Sequence, residues 1–204
     1  MKIIFATGNK GKLAEIKEIL GRDDFEIISM KEAGFTGEIV EDGTTYEENA
    51  LIKVRAVRAY LKNSRYPGRY MVMADDSGLE VDYLGGKPGI FSARYMGEDT
   101  PYSIKNQAII DALEGVPDEL RGARFVCAIA MIFPDGTEET TRAYYEGIVA
   151  REAKGTNGFG YDPMFYLPQF KATDAELPIE HKNRYSHRAQ ALRQAEEIIR
   201  KHTF

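Results

Sequence analysis

The sequence contains one cysteine, no tryptophan and no long apolar run among its 204 residues. A single cysteine cannot form a disulfide within the chain, which excludes a small disulfide-stabilised fold. No stretch approaches the ~20 consecutive apolar residues that a membrane-spanning helix requires, so we expect no membrane partner. Cys127 lies inside the apolar run 125–133, a position typical of a buried strand residue.

An excess of positive charge is also absent. The chain carries 27 Lys and Arg against 32 Asp and Glu, a formal net charge of −5 at pH 7. Because nucleic-acid-binding proteins normally present a basic face, this balance argues against a nucleic-acid partner. A small anionic ligand remains compatible, since its site needs only a few local cations. Residues 1–5 enter a strand pattern without a signal-peptide core, and we expect a cytoplasmic protein.

Short apolar runs alternate with helical patterns in the first half of the chain, and a hairpin pattern follows. The apolar runs predict strands at 2–6, 25–29, 70–74, 79–83, 124–133 and 138–151. Helical spacing predicts helices beginning near 13, 44, 101 and 186. We therefore expect an α/β fold with a mixed, twisted central sheet and flanking helices. Because no linker interrupts residues 1–204, we expect one domain with two lobes around a cleft.

Thr7-Gly8-Asn9-Lys10-Gly11-Lys12 is predicted as a turn between the first strand and the first helix. Glycines let backbone amides face a ligand, and a helix start offers unpaired N–H groups and the positive end of a dipole. With two added lysines, this composition is typical of a phosphate-binding turn. It is not a Walker A loop, because Leu13 stands where Ser or Thr is required. A plain turn with solvated lysines fits the motif equally well.

Two adjacent carboxylates, Asp75 and Asp76, follow the apolar run 70–74 and precede Ser77-Gly78. The carboxyl end of a strand is where α/β sheets place their ligands, and a carboxylate there can bind Mg²⁺ or orient a water. Since adjacent strand residues point to opposite faces, the two acids cannot easily share a partner. The alternative is a polar turn that ends the strand.

Glu41-Asp42-Gly43 precedes the second helix, whose start matches a capping box at Thr44-Thr45-Tyr46-Glu47. Acids near a helix start are often only capping or dipole partners. Lys53 in that helix is expected, from its type alone, to be exposed. Neither Glu41 nor Lys53 is therefore a site residue on local pattern alone.

The segment 155–168 is predicted as a loop rich in glycine and aromatic residues. Phe159 and Tyr161, held among glycines, suit a flat base that stacks on a ring. Asp162 can accept hydrogen bonds from a base or a ribose. A packed surface loop without a ligand fits the same pattern.

Lys182 to Arg188 lead into the last helix, for which Ser186 is a candidate N-cap. His187 and Arg188 in the first turn oppose the helix dipole, which hints at an anionic or carbonyl group nearby. The spacing of the three histidines does not match a metal site, and we assign no zinc.

Taken together, these segments resemble the inosine/xanthosine triphosphate pyrophosphatase family. The resemblance rests on TGNKGK, EDGTTYEENALIK, ADDSGLEVDYLGGKPGIFSARYMG, GTNGFGYDPMF and SHRAQAL, in that order over about residues 3 to 200. It implies hydrolysis of ITP, dITP and XTP to the monophosphate and pyrophosphate, with Mg²⁺ as cofactor. It also implies a nucleotide-binding cleft between two lobes and a homodimer.

The resemblance assigns roles to residues by matched position. Asp76 would be the catalytic proton acceptor, and Glu41 and Asp76 the metal-side carboxylates. From the alternation along the strand, Asp75 is expected to be a structural partner of nearby backbone amides, and a direct contact of Asp75 with the metal stays open. The residues expected to contact substrate are Thr7, Gly8, Asn9, Lys10, Gly11, Lys12, Lys53, Ser77, Phe159, Gly160, Tyr161, Asp162, Lys182, His187 and Arg188. Among these, Phe159 would stack on the purine, and Arg188 would donate to a 6-oxo group.

Two other functions remain open at this point. One is an enzyme of a related fold that cleaves modified pyrimidine triphosphates. The other is a regulator that binds a nucleotide without cleaving it, although such a protein would not need paired carboxylates.

Overall fold

The structure is a computed structural model and describes residues 1–21 and 25–202. Its strands are β1 Lys2–Phe5, β2 Glu26–Ser29, β3 Tyr70–Val81, β4 Lys87–Pro88, β5 Gly122–Ile132, β6 Glu138–Val149, β7 Phe165–Leu167 and β8 Ala172–Thr173. Its helices are α1 Lys10–Leu20, α2 Tyr46–Asn63, α3 Tyr102–Ala112, α4 Ile179–Tyr185 and α5 His187–His202. Within the described residues, no helix is both long and apolar enough to cross a membrane.

The strands form a mixed sheet in the order β2-β1-β3-β5-β6-β7-β8, with β4 paired to β3. β1 is parallel to both β2 and β3, whereas β4, β7 and β8 pair antiparallel with β3, β6 and β7 respectively. β5 and β6 are neighbours joined by five residues, which only an antiparallel hairpin allows. The predicted mixed α/β sheet and its hairpin are confirmed.

The chain divides into two compact units. The first unit comprises Met1–Asp76, Cys127–Ala143 and Arg188–Phe204, and the second comprises Ser77–Val126 and Tyr144–His187. The expectation that residues 1–204 form one domain with a cleft between two lobes stays a prediction.

In the first unit, successive strand residues pack on opposite faces of the sheet. Met71 and Met73 belong to a core that also contains apolar residues of α1 and α5. Val72 and Ala74 belong to a second core, which the apolar face of α2 completes. Each of residues 70–74 of β3 is thereby assigned to one set of helices by its position in the alternation.

In the second unit, the core combines the end of β3 with α3 and the strands β5, β6 and β7. Leu79 and Val81 pack there with Ile109, Phe125 and Phe165. Phe125 and Phe165 have ring centroids 4.5 Å apart. This core supports the segment from 155 to 168, of which residues 162–164 form a short 3-10 helix and 165–167 form β7. The prediction of a continuous loop over that segment was wrong in its second half.

Four local predictions need correction. β3 does not end at the two acids but runs on to Val81, so Asp75 and Asp76 lie inside a 12-residue strand. Helix α1 already begins at Lys10, within the predicted turn. The capping residues of α2 are Thr45 and Glu48, one position later than predicted. A separate helix, α4, was not predicted, and it contains Lys182.

Candidate functional site

The two adjacent acids of β3 contact different helices of the first unit. Asp75 follows the alternation of Met71 and Met73, on the face covered by α1 and α5. Asp76 follows Val72 and Ala74, on the face covered by α2. The prediction that the two side chains point in opposite directions is confirmed by their partners, which come from these helices.

Asp75 lies in a buried cluster of charges. Its Oδ2 is 2.9 Å from Lys12 Nζ and 3.2 Å from Arg188 Nε. Arg188 also donates through Nη1 to Glu15. The carboxylate of Asp75 therefore pairs with two side-chain cations, which were not among its expected partners, and its structural role stays a prediction.

Electrostatics favours the ionised form of Asp75. Burial alone would raise the pKa of this carboxyl, but the charges of Lys12 and Arg188 outweigh burial and hold the pKa well below its usual range. Burial likewise opposes the charge of Arg188, and the carboxylates of Asp75 and Glu15 raise its pKa overall. Burial, with the nearby negative charge of Asp75, raises the pKa of the Cys127 thiol to about 12.

Asp76 lies beside a lysine that it shares with a second carboxylate. Lys53 Nζ is 3.0 Å from Asp76 Oδ1 and 2.8 Å from Glu41 Oε2. Asn49, one helical turn before Lys53, donates to Asp76 Oδ2 at 3.4 Å. The expectation that Lys53 is exposed was wrong: the residue is only 8% exposed, because it points from α2 onto the two acids.

The pKa of Asp76 is shifted in the opposite direction from that of Asp75. Burial raises it, and the lowering effects of Lys53 and Lys12 do not fully compensate, while the negative charge of Glu41 adds to the rise. Burial would lower the pKa of Lys53, but three surrounding carboxylates raise it. Asp76 is therefore a stronger base than an ordinary aspartate, held in place by a permanently charged lysine.

The donor set of this cluster fits a hard divalent cation. Mg²⁺ is usually held by one or two carboxylates together with water and substrate phosphates. Glu41 and Asp76 converge on one ammonium, so a pair of carboxylates is in place for such a cation. In the described part of the chain, no group of three or more His, Cys, Asp or Glu side chains is close enough together to hold a metal alone.

The start of α1 is ordered by the side chain of Asn9. Its Oδ1 accepts hydrogen bonds from the amides of Gly11 at 2.9 Å and Lys12 at 3.2 Å. The expectation of unpaired amides at these two positions was therefore wrong. Asn9 itself donates through its backbone N–H to Thr7 Oγ1. Gly8 has no heavy atom within 4 Å of the position a Cβ would take, and Lys10 is exposed.

The second unit brings three predicted site residues together. Asp162 Oδ2 accepts from the backbone N–H of Phe159 at 2.7 Å and from Lys182 Nζ at 2.5 Å. The same ammonium lies 4.3 Å from the centroid of the Phe159 ring, as a cation–π contact. Phe159 is thereby held through both its backbone and one face of its ring.

Two other predicted residues of the second unit are buried against aromatic rings. Tyr161 donates its hydroxyl to the carbonyl of Ser92 at 2.8 Å, and its ring lies edge-on to Tyr102. His187 stacks on Phe125 with ring centroids 4.9 Å apart. These contacts anchor both side chains within the unit, and their predicted contacts with substrate stay predictions.

Comparison with known proteins decides the family. The sequence pattern of the Ham1 family matches residues 3–198. The chain belongs to the Ham1 family. It is 46% identical over 200 residues to the dITP/XTP pyrophosphatase of Desulforamulus reducens, covering 98% of this chain and 96% of that one. It is 43% identical to the dITP/XTP pyrophosphatase of Bacillus subtilis, covering 96% of each chain.

Solved structures of Ham1 proteins share the fold of this Ham1-family chain. The Ham1 protein of Staphylococcus aureus matches with a TM-score of 0.85 and 36% identity, over 99% of this chain and 100% of that one. The HAM1 protein of Coxiella burnetii matches with a TM-score of 0.84 and 37% identity, over 98% and 99% of the two chains.

The predicted site residues of this Ham1-family chain fall into separate groups. In the first unit, Lys12 and Arg188 meet on Asp75, whereas Lys53 and Glu41 meet at Asp76. Phe159, Asp162 and Lys182 form the group of the second unit. Ser77 lies in β3 and is also assigned to the second unit, and its predicted contact with substrate stays a prediction.

Sequence reasoning missed two residues of the first unit. Asn49 precedes Lys53 by four positions, and Glu15 follows Lys12 by three. Both spacings place the two residues of each pair on one helix face, so the spacing from each lysine was a signal that could have indicated Asn49 and Glu15. Neither contact followed from that spacing alone, because the partner acids of β3 had first to be assigned to a face.

Proposed function

We propose that this chain hydrolyses the purine nucleoside triphosphates ITP, dITP and XTP to the monophosphate and pyrophosphate. The observation that carries the proposal is the pairing of Asp76 and Glu41 on one buried lysine, within a chain 46% identical to a dITP/XTP pyrophosphatase. A protein that only bound nucleotides would not need two acids at this point, since carboxylates repel phosphates.

In the proposed reaction, Asp76 accepts a proton from the attacking water. The water oxygen bonds to the α-phosphorus, the bond from that phosphorus to the bridging oxygen breaks, and pyrophosphate leaves with that oxygen. The raised pKa of Asp76 makes the carboxylate a better proton acceptor, a contribution typically worth about 10²–10⁴ in rate. Lys53 holds the carboxylate through Oδ1 and adds positive charge.

Mg²⁺ is the proposed cofactor, and Glu41 and Asp76 are the residues that would hold it. When bound, the ion neutralises negative charge on the phosphate oxygens. Lys10 and Lys12 at the start of α1 are proposed to bind the triphosphate, together with Lys53. The carboxylate of Asp75 holds the ammonium of Lys12 in place, and we propose that Lys12 binds the triphosphate from this position.

The purine is proposed to stack on Phe159 in the second unit. Asp162 and Lys182 fix that ring, and Gly160, Tyr161 and His187 are further proposed contacts. Arg188, which also donates to Glu15 and Asp75, is proposed to recognise the 6-oxo group. A site built around such donors rejects the 6-amino group of adenine, because the donors are then left unpaired.

A release assay for pyrophosphate tests the proposal. The chain is incubated with MgCl₂ and, in turn, ITP, XTP, dUTP, TTP, GTP and ATP. We expect release from ITP and XTP at rates well above those with ATP. A preference for the pyrimidine triphosphates would favour the alternative enzyme, and no release from any nucleotide would favour a binding protein.

The homodimer and the cytoplasmic location also stay proposals. Sedimentation tests the first, and cell fractionation tests the second.

A further inference from the structure

Two glycines flank Phe159, and they allow its backbone more conformations than other residues would. Gly158 and Gly160 flank the phenylalanine with φ values of +73° and +70°, in the left-handed region that favours glycine. Glycines lose more conformational freedom on ordering than other residues do. A ring that is to serve as a stacking surface between two such glycines therefore needs contacts that hold the backbone on each side.

On the N-terminal side of the ring, the contact comes from the predicted site itself. The backbone N–H of Phe159 donates to Asp162, whose carboxylate also binds Lys182. On the C-terminal side, the contact comes from a residue outside the segment. Asn106 of α3 donates through Nδ2 to the carbonyl of Gly160 at 3.2 Å, across 54 residues of sequence.

The side chain of Asn106 is buried, and its amide nitrogen donates to Gly160. The residue is only 2% exposed, and within the described part of the chain its Oδ1 has no hydrogen-bond partner. The amide therefore acts here through its donor. Tyr102, one turn earlier on α3, places its ring 3.6 Å from the position a Cβ on Gly160 would take, and edge-on to Tyr161. One face of α3 thus holds both residues that follow Phe159.

We propose that Asn106 is a positioning residue for base recognition. It fixes the Gly160 carbonyl and so holds the Phe159 ring, which also contacts Lys182, in the position proposed for stacking on a purine. The inference rests on the proposed function for the role of Phe159. It adds a residue that touches neither the base nor the phosphates, and whose loss weakens binding of the base alone.

The neighbouring residue offers a matched control. Gln107 carries the same amide group on the same helix but is exposed, and it donates to Asp111 at 2.7 Å within α3. Asn106→Ala removes the contact with Gly160, whereas Gln107→Ala removes only a contact on the helix surface. Asn106→Asp keeps the size of the side chain and replaces the donor with an oxygen, as a second variant.

The experiment measures binding by calorimetry in the presence of MgCl₂, with inosine monophosphate and with pyrophosphate as separate ligands. We expect Asn106→Ala to weaken inosine monophosphate about tenfold, because the freed backbone of about one residue must then be ordered on binding, and to leave pyrophosphate within about twofold. Gln107→Ala is expected to change neither. For ITP hydrolysis, the KM is expected to rise with kcat nearly unchanged.

Equal weakening of both ligands, or unchanged binding of inosine monophosphate, would overturn the inference. So would a wild-type chain that does not bind inosine monophosphate, or loss of the circular dichroism spectrum in both Asn106 variants, because the role is then structural. Pyrophosphate release from ITP by the wild-type chain is a separate measurement. The proposed function can therefore fail or succeed independently of the binding result.

Discussion

Asp75 and Asp76 are adjacent in one strand, yet the fold shifts their pKa values in opposite directions. Burial opposes ionisation in both carboxyls, but Asp75 has two close cations and a lowered pKa, whereas the cation of Asp76 is shared with Glu41 and the pKa is raised. The ionised form of Asp75 therefore stabilises the fold, whereas ionisation of Asp76 in the folded chain costs free energy relative to the unfolded chain. This difference supports the proposal that Asp76, and not Asp75, is the reactive acid.

Asp75→Asn is expected to destabilise the chain by roughly 3–5 kcal/mol, because Arg188 and Lys12 lose a buried counter-charge. The folded-state pKa of Asp75 lies below the unfolded one. Its contribution is thus fully present above pH ~4 and is lost as the pH falls below that value. Urea unfolding from pH 7 to pH 3 measures both effects.

The exposed pair of Asp118 with Arg151 is the control: Asp118→Asn should change the free energy of unfolding by about 1 kcal/mol or less. Equal effects of the two substitutions would contradict the assignment.

Asp76→Asn is expected to fold at least as stably as the wild type in metal-free buffer at pH 7. The folded-state pKa of Asp76 lies above the unfolded one, so folding makes its ionisation less favourable than it is in the unfolded chain. Asparagine resembles the neutral carboxyl, and Lys53 keeps Glu41 as a partner. Turnover of ITP should nevertheless fall at least a hundredfold. Thermal unfolding and pyrophosphate release measure the two properties. Near-wild-type turnover would exclude Asp76 as the proton acceptor.

Phe159→Ala is expected to raise the KM for ITP roughly 5- to 150-fold, since stacking of one base on a ring is worth about 1–3 kcal/mol. Phe170 belongs to the same unit and is 45% exposed, with its ring edge-on to His181. Phe170→Ala removes an equal aromatic surface outside the predicted site, and we expect an unchanged KM. Steady-state kinetics of both variants decide the point: similar KM values for the two would count against stacking on Phe159.

Cys127 is expected to be almost unreactive in the folded chain. Its thiol is buried in the first unit and has a pKa raised to about 12, so very little thiolate exists at pH 8. Labelling by iodoacetamide at pH 8 should be roughly a thousandfold slower than in denaturant, where one thiol per chain reacts. Rapid labelling of the native chain would show that the core around Asp75 opens.

Much of this arrangement could be predicted from sequence, because it depends on alternation and spacing. The period of two in the run 70–74 placed Asp75 and Asp76 on opposite faces before any partner was known. Alternating strand and helix patterns, followed by a turn signal at 134–137, indicated the mixed sheet. These features are local, and tertiary packing did not change them.

The remaining features depend on contacts between distant residues. Asp75 and Asp76 were expected to end their strand, but ion pairs with Lys12 and Lys53 allow the charges to lie inside it. Lys53 was expected to be exposed, since nothing near it in sequence shows that the carboxylates of Glu41 and Asp76 lie within ion-pair distance of its ammonium. Asn106 was missed for the same reason, because its partner Gly160 lies 54 residues further along the chain.

The position of the bond that breaks tests the central claim most directly. ITP is hydrolysed by the chain in H₂¹⁸O with MgCl₂, the products are separated, and the ¹⁸O content of each is measured by mass spectrometry. Attack on the α-phosphorus predicts inosine monophosphate that carries one ¹⁸O and pyrophosphate that carries none. Inosine diphosphate with labelled phosphate, or labelled pyrophosphate, would contradict the account.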